Sequence, residues 1–171
     1  MKSVGENFFL QDAYTAAQQL IGKWICRNAY GEISRFQITE TECYCGTEDT
    51  ACHASKGRTA RTAVMWHRGG VCYVYLCYGI HNMLNFVTGS EGYPEAVLIR
   101  GVKGAPGPGR ASKAMKIDRT LNGETLLCRD KIWVEDDGKE YGFRAEKRVG
   151  IGYASEEDQN RLWRFVMEPR A

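Results

Sequence analysis

Between Phe36 and Tyr44, apolar and polar residues alternate along the chain. Successive side chains of a strand point to opposite faces, so Ile38, Glu40 and Glu42 fall on the same face as these two aromatic residues. An unpaired carboxylate is costly to bury, and burial raises its pKa. The pattern therefore predicts a strand that carries chemistry. The alternative is that the opposite face is buried, or that the glutamates lie at a solvated edge.

A second apolar and aromatic stretch covers residues 71–87 and is interrupted at residues 78–81. Two strand-like arms around a glycine predict a β-hairpin whose tip carries Tyr78. Tyr73 and Tyr75 share one face of the first arm, and Tyr78 leaves on the other. Hairpin tips are usually polar, so an aromatic tip either inserts between base pairs as an apolar wedge or is covered by another element.

Helical spacing of apolar residues predicts a helix from Asp12 to about Ile21, followed by Gly22 as its left-handed cap. A glycine-proline loop over 101–109 opens a basic helix predicted over 110–117. Further elements are strands at 23–27, 96–100, 132–134 and 163–167, turns at 28–31 and 136–138, and a short helix capped by Ser155. Strands without regular helix alternation predict an α+β fold, a single domain over 1–171 on a mainly antiparallel sheet.

Arg100 lies on the same face of its predicted strand as Ala96 and Leu98, so it also occupies an inward position. A buried arginine and a buried glutamate are each costly alone and compatible together. They form either part of a site or a core ion pair. Together with clustered tyrosines, inward charges of both signs favour a planar ligand.

A polar, irregular segment over 47–62 carries His53, Lys56, Arg58 and Arg61. Such a segment is either a basic loop that contacts phosphates or a solvated connection.

The composition is that of one folded domain, with 171 residues, 43% hydrophobic and 26% charged. A net charge of +2 leans weakly towards anionic partners and does not by itself argue for nucleic acid. The chain does not open with a basic and then apolar signal, and no apolar run approaches the length of a membrane helix. We expect an intracellular protein whose seven cysteines are reduced.

A zinc ion could be held by one group of side chains, namely Cys43, Cys45, Cys52 and His53. Structural zinc sites usually use cysteine pairs separated by two to four residues, and the first pair here is separated by one. We predict no metal site, and a small zinc protein remains an alternative.

Several motifs resemble the alkyladenine (3-methyladenine) DNA glycosylase family, in a bacterial-type version, from about Asn7 to Val166. These motifs are Glu40-Thr-Glu42-Cys-Tyr44, Glu48-Asp49-x-Ala51-Cys52-His53, Tyr73-Val-Tyr75-x-x-Tyr78-Gly79, Asn85, Val97-Leu98-Ile99-Arg100, Gly107-Pro108-Gly109 and Arg148-Val149-Gly150-Ile151-Gly152. The resemblance implies a curved sheet flanked by helices, with a protruding hairpin. It implies a monofunctional enzyme that leaves an abasic site without cutting the strand.

The resemblance also implies a catalytic group. Glu42 would be the general base that deprotonates the water attacking C1′ of the extruded nucleotide. Arg100 and the main-chain carbonyl of Val149 would help to hold that water. No metal, cofactor or lysine Schiff base is implied.

The resemblance assigns the base and the duplex to further residues. Tyr44 would stack on one face of the extruded base, and His53 and Tyr75 on the other. Asn85 would guard the pocket against unmodified guanine. Tyr78 would fill the gap that the base leaves in the duplex.

The implied partner is double-stranded DNA containing a damaged purine, with Lys56, Arg58 and Arg61 near its phosphates. The implied lesions are 3-methyladenine and 7-methylguanine, with hypoxanthine and ethenoadenine left open. The protein is expected to be a monomer, without membrane contact, in the cytoplasm beside the nucleoid (in the nucleus if the source is eukaryotic). The alternative is a non-catalytic module on the same scaffold that binds damaged DNA.

Overall fold

Ten strands and four short α-helices occur within residues 1–169, the part of the chain that the computed structural model describes. The strands are β1 (Lys2–Ser3), β2 (Trp24–Ala29), β3 (Glu32–Cys45), β4 (Cys72–Cys77), β5 (His81–Val87), β6 (Glu95–Val102), β7 (Ala105–Pro106), β8 (Ile132–Asp136), β9 (Phe143–Glu146) and β10 (Arg164–Met167). The helices are α1 (Glu6–Phe9), α2 (Ala13–Leu20), α3 (Pro108–Ala114) and α4 (Glu156–Asn160). Short 3₁₀ turns cover His53–Lys56, Ala63–Trp66 and Arg119–Leu121.

The long strand β3 is the centre of one open sheet. The strand order is β1-β8-β2-β3-β6-β5-β4, and neighbouring strands pair antiparallel. The first half of β3 pairs with β2, while its second half lies between β6 and β10. This arrangement confirms the predicted α+β fold of a single domain on a mainly antiparallel sheet.

Helix α2 covers the sheet at β3 and confirms the helix predicted after Asp12. The Asp12 side chain accepts a hydrogen bond from the Thr15 N–H at 2.9 Å, which caps the first turn. The apolar positions of α2 are buried against the main core. Gly22 follows with a φ of 86°, and a Cβ there would lie 2.0 Å from the Tyr141 ring. Glycine is therefore required at this turn for both reasons.

The alternation predicted along β3 is wrong at its centre, because a β-bulge interrupts it. The register with β6 shifts between Ile38 and Glu40 and again between Glu40 and Thr41. Ile38 packs in the main core, and the Thr41 hydroxyl donates to a carbonyl of α2. Glu42 follows Thr41 and therefore points away from α2. The bulge thus separates the glutamate face from the apolar face of the first half.

The predicted hairpin is confirmed in β4 and β5, which are paired from Cys72 to Cys77 and joined by a tight turn. Tyr78 and Gly79 both have left-handed backbone angles, with φ values of 51° and 67°. The Tyr78 side chain is 90% exposed, so within the described residues no other element covers the tip. This finding favours the hypothesis that the tip inserts between base pairs over the alternative that another element covers it.

The glycine-proline loop and its helix lie in a different place from the prediction. Helix α3 begins at Pro108 instead of 110 and ends at Ala114 instead of 117. Proline suits the first turn of a helix, where its missing N–H has no partner to lose, and Lys116 ends the helical path with a φ of 51°. Part of the predicted loop is strand β7, which turns back onto β6 at Gly104.

A second tight turn joins β2 to β3 and is shorter than the turn predicted over 28–31. Strand β2 continues to Ala29, and the turn consists of Tyr30 and Gly31 with φ values of 58° and 86°. Two left-handed residues match the twist of antiparallel strands. Tyr30 is 97% exposed. The chain therefore presents a tyrosine-glycine turn at two hairpin tips.

Candidate active site

A cleft of about 490 Å³ lies between the β4–β5 hairpin, strand β6 and the segment after Arg148. Eight of the predicted site residues line it: Tyr44, His53, Arg61, Tyr75, Tyr78, Asn85, Arg100 and Val149. Glu42 lies beneath the lining of the cleft, in contact with Tyr44, Arg100 and Val149. Lys56 and Arg58 lie on the adjacent loop. The fold therefore brings residues from five separate parts of the sequence to one place.

The Glu42 carboxylate is fully buried, with 0% exposure, and is surrounded by hydrogen-bond donors. Its Oε1 accepts a hydrogen bond from the Val149 N–H at 2.8 Å, and its Oε2 accepts one from the Tyr44 hydroxyl at 2.7 Å. Arg100 Nη1 lies 3.5 Å from Oε1. Burial raises the pKa of Glu42, while Arg100, the Val149 N–H and Tyr44 oppose that rise by stabilising the carboxylate.

Arg100 is held in place by Glu40 of β3. Its Nε donates to Glu40 Oε1 at 3.1 Å, and Arg164 Nη1 donates to the same oxygen at 2.8 Å. Glu40 thus lies between two guanidinium groups, and one of them also faces Glu42. The predicted inward Glu and Arg are a network in which each charge has an opposite neighbour.

The wall opposite Tyr44 is aromatic. The His53 and Tyr75 ring centroids are 4.6 Å apart, and His53 Nδ1 lies 3.1 Å from the Tyr73 hydroxyl. Burial and the nearby Arg61 lower the pKa of His53 to about 4, so its imidazole is neutral at physiological pH. The Arg61 guanidinium lies 5.1 Å from the centre of the Tyr75 ring. A neutral histidine permits a cationic ligand in this part of the cleft.

Asn85 reaches the cleft from β5. Its Nδ2 donates to the main-chain carbonyls of Tyr73 at 3.1 Å and of Met83 at 3.3 Å. Both contacts hold the amide group against the two hairpin strands. The side chain is therefore fixed in position before a ligand arrives.

The rim of the cleft is open to solvent. Tyr78 stands at the hairpin tip, while Lys56 and Arg58 lie exposed around the 3₁₀ turn that follows Cys52. We call these three residues the rim, and Glu42 with Arg100 and Tyr44 the floor. Rim and floor are the exposed and the buried parts of one cleft.

Sequence reasoning gave no separate role to three residues that the structure places around the floor. Tyr153 lines the cleft, and its hydroxyl donates to the Ala51 carbonyl at 2.7 Å. Arg148 and Asp49 form a buried ion pair behind Tyr44. Both charged residues lie within motifs that carry the resemblance. Only their contacts in the folded chain distinguish them from ordinary motif positions.

The candidate zinc ligands do not come together in the part of the chain that the structure describes. Within residues 1–169, no group of three or more His, Cys, Asp and Glu side chains is placed to hold a metal ion. Cys43 is buried in the main core on the α2 side of β3, whereas His53 faces the cleft. The two candidate ligands therefore lie on different faces.

A buried carboxylate under an aromatic cleft, with an exposed aromatic hairpin tip at its mouth, suits an enzyme that acts on an extruded nucleobase. Enzymes that act on a base within a duplex must extrude it into such a pocket. The helices within the described residues are too short or too polar to cross a bilayer.

The comparisons agree with this class. The family model for methylpurine-DNA glycosylase matches residues 7–106 and 103–171. A relative from Psychrobacter cryohalolentis is 41% identical, over 90% of this chain and 86% of its own. Relatives from Natranaerobius thermophilus (41%; 94% and 92%) and Methanocella arvoryzae (39%; 96% and 92%) are similar. All three carry the provisional name 3-methyladenine DNA glycosylase. The chain belongs to the methylpurine-DNA glycosylase family, and it is an enzyme of DNA repair rather than a non-catalytic module.

Proposed function

We propose that this enzyme removes 3-methyladenine and 7-methylguanine from duplex DNA by hydrolysing the N-glycosidic bond, with Glu42 as general base. The observation that carries the proposal is the position of Glu42, fully buried next to Tyr44, Arg100 and Val149, which all line the cleft. The product is free base and an abasic site.

Glu42 has the capacity to take a proton from water. A carboxylate oxygen accepts about two hydrogen bonds, and Oε2 accepts one from Tyr44. In this proposal its second lone pair would accept a hydrogen bond from the attacking water. The base must be ionised, and the Arg100 charge and two hydrogen-bond donors stabilise that form. The carboxylate also stabilises the positive charge that develops on the sugar as the bond breaks.

The aromatic walls suit an alkylated purine. Such a base is cationic and electron-poor, and each tyrosine face attracts it by about 0.5–2 kcal/mol. Tyr44 would stack on one side and Tyr75 with neutral His53 on the other. The positive charge also makes the base a good leaving group, so one carboxylate suffices. Hypoxanthine and ethenoadenine lack this charge, and their excision would depend on stacking and on contacts to the base edge.

Capture of the lesion falls to the rim. Tyr78 would enter the minor groove and occupy the space of the extruded base, which offsets part of the cost of unstacking. Lys56 and Arg58 would bind phosphates on the same side, and Arg61 would do so from the wall of the cleft. The enzyme would act as a monomer in the cytoplasm, where the bacterial nucleoid lies.

The test is single-turnover base release from oligonucleotides that each carry one defined damaged base. Release of 7-methylguanine by the wild-type protein, with an intact strand afterwards, is the expected result. Tight binding of every lesion without release would contradict the proposed chemistry.

A further inference from the structure

A buried ion pair lies directly behind the Tyr44 ring. Arg148 Nη1 lies 2.6 Å from Asp49 Oδ2, and Nη2 lies 2.9 Å from Oδ1, so the contact is bidentate. The side chains are 0% and 1% exposed. A pair this deeply buried is a poor source of stability compared with apolar packing. Its location relative to the floor suggests another purpose.

The guanidinium of Arg148 contacts the main chain of β3 and two aromatic rings. Its Nη1 donates to the main-chain carbonyl of Cys43 at 3.0 Å, and Cys43 stands between Glu42 and Tyr44 in the chain. Its centre lies 4.9 Å from the Tyr44 ring and 4.9 Å from the Trp163 ring. The tyrosine that binds Glu42 is therefore backed by a fixed planar cation.

The same residue sets the position of the main-chain donor. Val149 follows Arg148 directly, and its N–H makes the 2.8 Å hydrogen bond to Glu42 Oε1. Asp49 in turn accepts hydrogen bonds from the main-chain N–H groups of Cys45 at 3.2 Å and Ala51 at 3.1 Å. One ion pair thus connects the end of β3, the loop towards His53 and the segment that supplies the donor to Glu42.

We propose that Asp49 and Arg148 are positioning residues of the excision reaction, which hold the Tyr44 ring and the Val149 N–H against Glu42 without touching the reacting atoms. The proposal rests on the proposed function of Glu42 as general base. A general base works faster when its hydrogen-bond donors already hold it in the productive position than when they must first be arranged. A displacement of about 1 Å can lower the rate a hundredfold.

The pair also places two opposite charges near the base. The groups that stabilise the Glu42 carboxylate are Arg100 of β6, Tyr44 of β3, the Val149 N–H and Arg148. The hydroxyls of Tyr75 and Tyr153 also face Glu42 from β4 and from the segment after Arg148. The Arg148 charge lowers the pKa of Glu42. The Asp49 charge must oppose that effect. Removing one charge or the other should therefore shift the pKa of Glu42 in opposite directions.

The experiment measures single-turnover release of 7-methylguanine against pH for the wild type, Asp49→Asn, Arg148→Met and the double variant. Excision requires ionised Glu42 and is lost as pH falls through its pKa. The acid limb of the pH–rate profile, where the rate falls as Glu42 is protonated, should therefore move. Asp49→Asn should move it to lower pH, and Arg148→Met should move it to higher pH. In the double variant the limb should return towards the wild-type position. Its maximal rate should stay about tenfold to a hundredfold low, because the anchor is gone.

Arg148→Lys tests the shape of the group separately from its charge. Lysine keeps the charge without the planar fork, so the acid limb should stay near the wild-type pH while only part of the rate is recovered. Lys23→Met is the matched control: it breaks an ion pair between Lys23, which precedes β2, and Asp136 of β8, and it should leave excision unchanged. Affinity for a duplex with an uncleavable abasic analogue should stay within about twofold of wild type in all variants that fold.

Wild-type rates in either single variant, or acid limbs that move in the same direction, would overturn the proposal. If a single-charge variant fails to melt cooperatively, Arg148→Lys and the double variant decide: both must lose rate while keeping affinity for the abasic analogue. The failure of the proposed function is recognised separately: either the wild-type protein would release no base, or Glu42→Gln would release it at the wild-type rate.

Discussion

The floor and the rim of the cleft differ in how complete they are. At the floor, Glu42 is fully buried, and both of its oxygens have donors within the protein. At the rim, Tyr78 is 90% exposed, and Lys56 and Arg58 also face solvent. The side chains of the floor are thus fixed by contacts within the protein before substrate binds. Those of the rim are exposed and would gain their contacts only from bound DNA.

This difference has a physical reason. A charged group that must act in a dry pocket needs its donors arranged in advance, since rearranging them during the reaction would add to the barrier. A surface that searches duplex DNA must instead stay accessible and rely on charge and an apolar wedge. Changes at the floor should therefore alter the chemical step, and changes at the rim should alter capture.

The sharpest test of the floor is Glu42→Gln. Glutamine has the same shape and can keep the Val149 hydrogen bond, but it cannot take a proton. We expect single-turnover release of 3-methyladenine from methylated DNA to fall by about 10²–10⁴-fold, the usual contribution of a general base. Affinity for lesion duplex should survive. Excision at the wild-type rate would show that the base is another group.

The matching test of the rim is Tyr78→Ala. Loss of one aromatic contact with bases costs about 1–3 kcal/mol, so affinity for lesion duplex should fall roughly tenfold. Tyr30→Ala is the control, since Tyr30 is 97% exposed at the other tyrosine-glycine turn and does not line the cleft. Equal effects of the two changes, measured by fluorescence anisotropy, would mean that the tip of the β4–β5 hairpin is not the wedge.

A milder change at the floor is Tyr44→Phe. It keeps the ring and removes the hydroxyl that donates to Glu42. Since this hydrogen bond favours the ionised form, its loss should raise the pKa of Glu42 further above its usual range. The acid limb of excision should therefore move to higher pH, with little change at alkaline pH. An acid limb at the wild-type pH would show that the Tyr44 hydroxyl does not affect the pKa of the group whose protonation stops excision.

The smallest expected effect concerns the phosphates. Arg58→Ala should weaken duplex binding and reduce the slope of affinity against salt by about one phosphate contact. Lys139→Ala serves as the control, because Lys139 follows β8 at the far side of the sheet. A slope that is the same for Arg58→Ala and wild type would remove Arg58 from the DNA interface.

Much of the local structure followed from residue patterns. The helix after Asp12, the hairpin around Gly79 and the inward arginine on β6 were all predicted, because apolar periodicity and turn residues act over short distances. The limits of α3 were wrong, since proline at its start and the left-handed Lys116 outweighed the basic run. The β3 faces were wrong because a bulge depends on the neighbouring strand, which the sequence of β3 alone does not reveal.

Residue patterns were enough to predict α2, the β4–β5 hairpin and most of the longer strands, and the motifs were enough to indicate the family that the chain resembles. Three features came to light only in the folded chain: Glu42 is buried with both oxygens hydrogen-bonded, Glu40 lies between two guanidinium groups, and Asp49 meets Arg148 behind Tyr44. Asp49 and Arg148 are far apart in the chain. Their contact depends on how β3, β10 and the segment after β9 pack together. A pattern of neighbouring residues does not predict a contact between residues so far apart in the sequence.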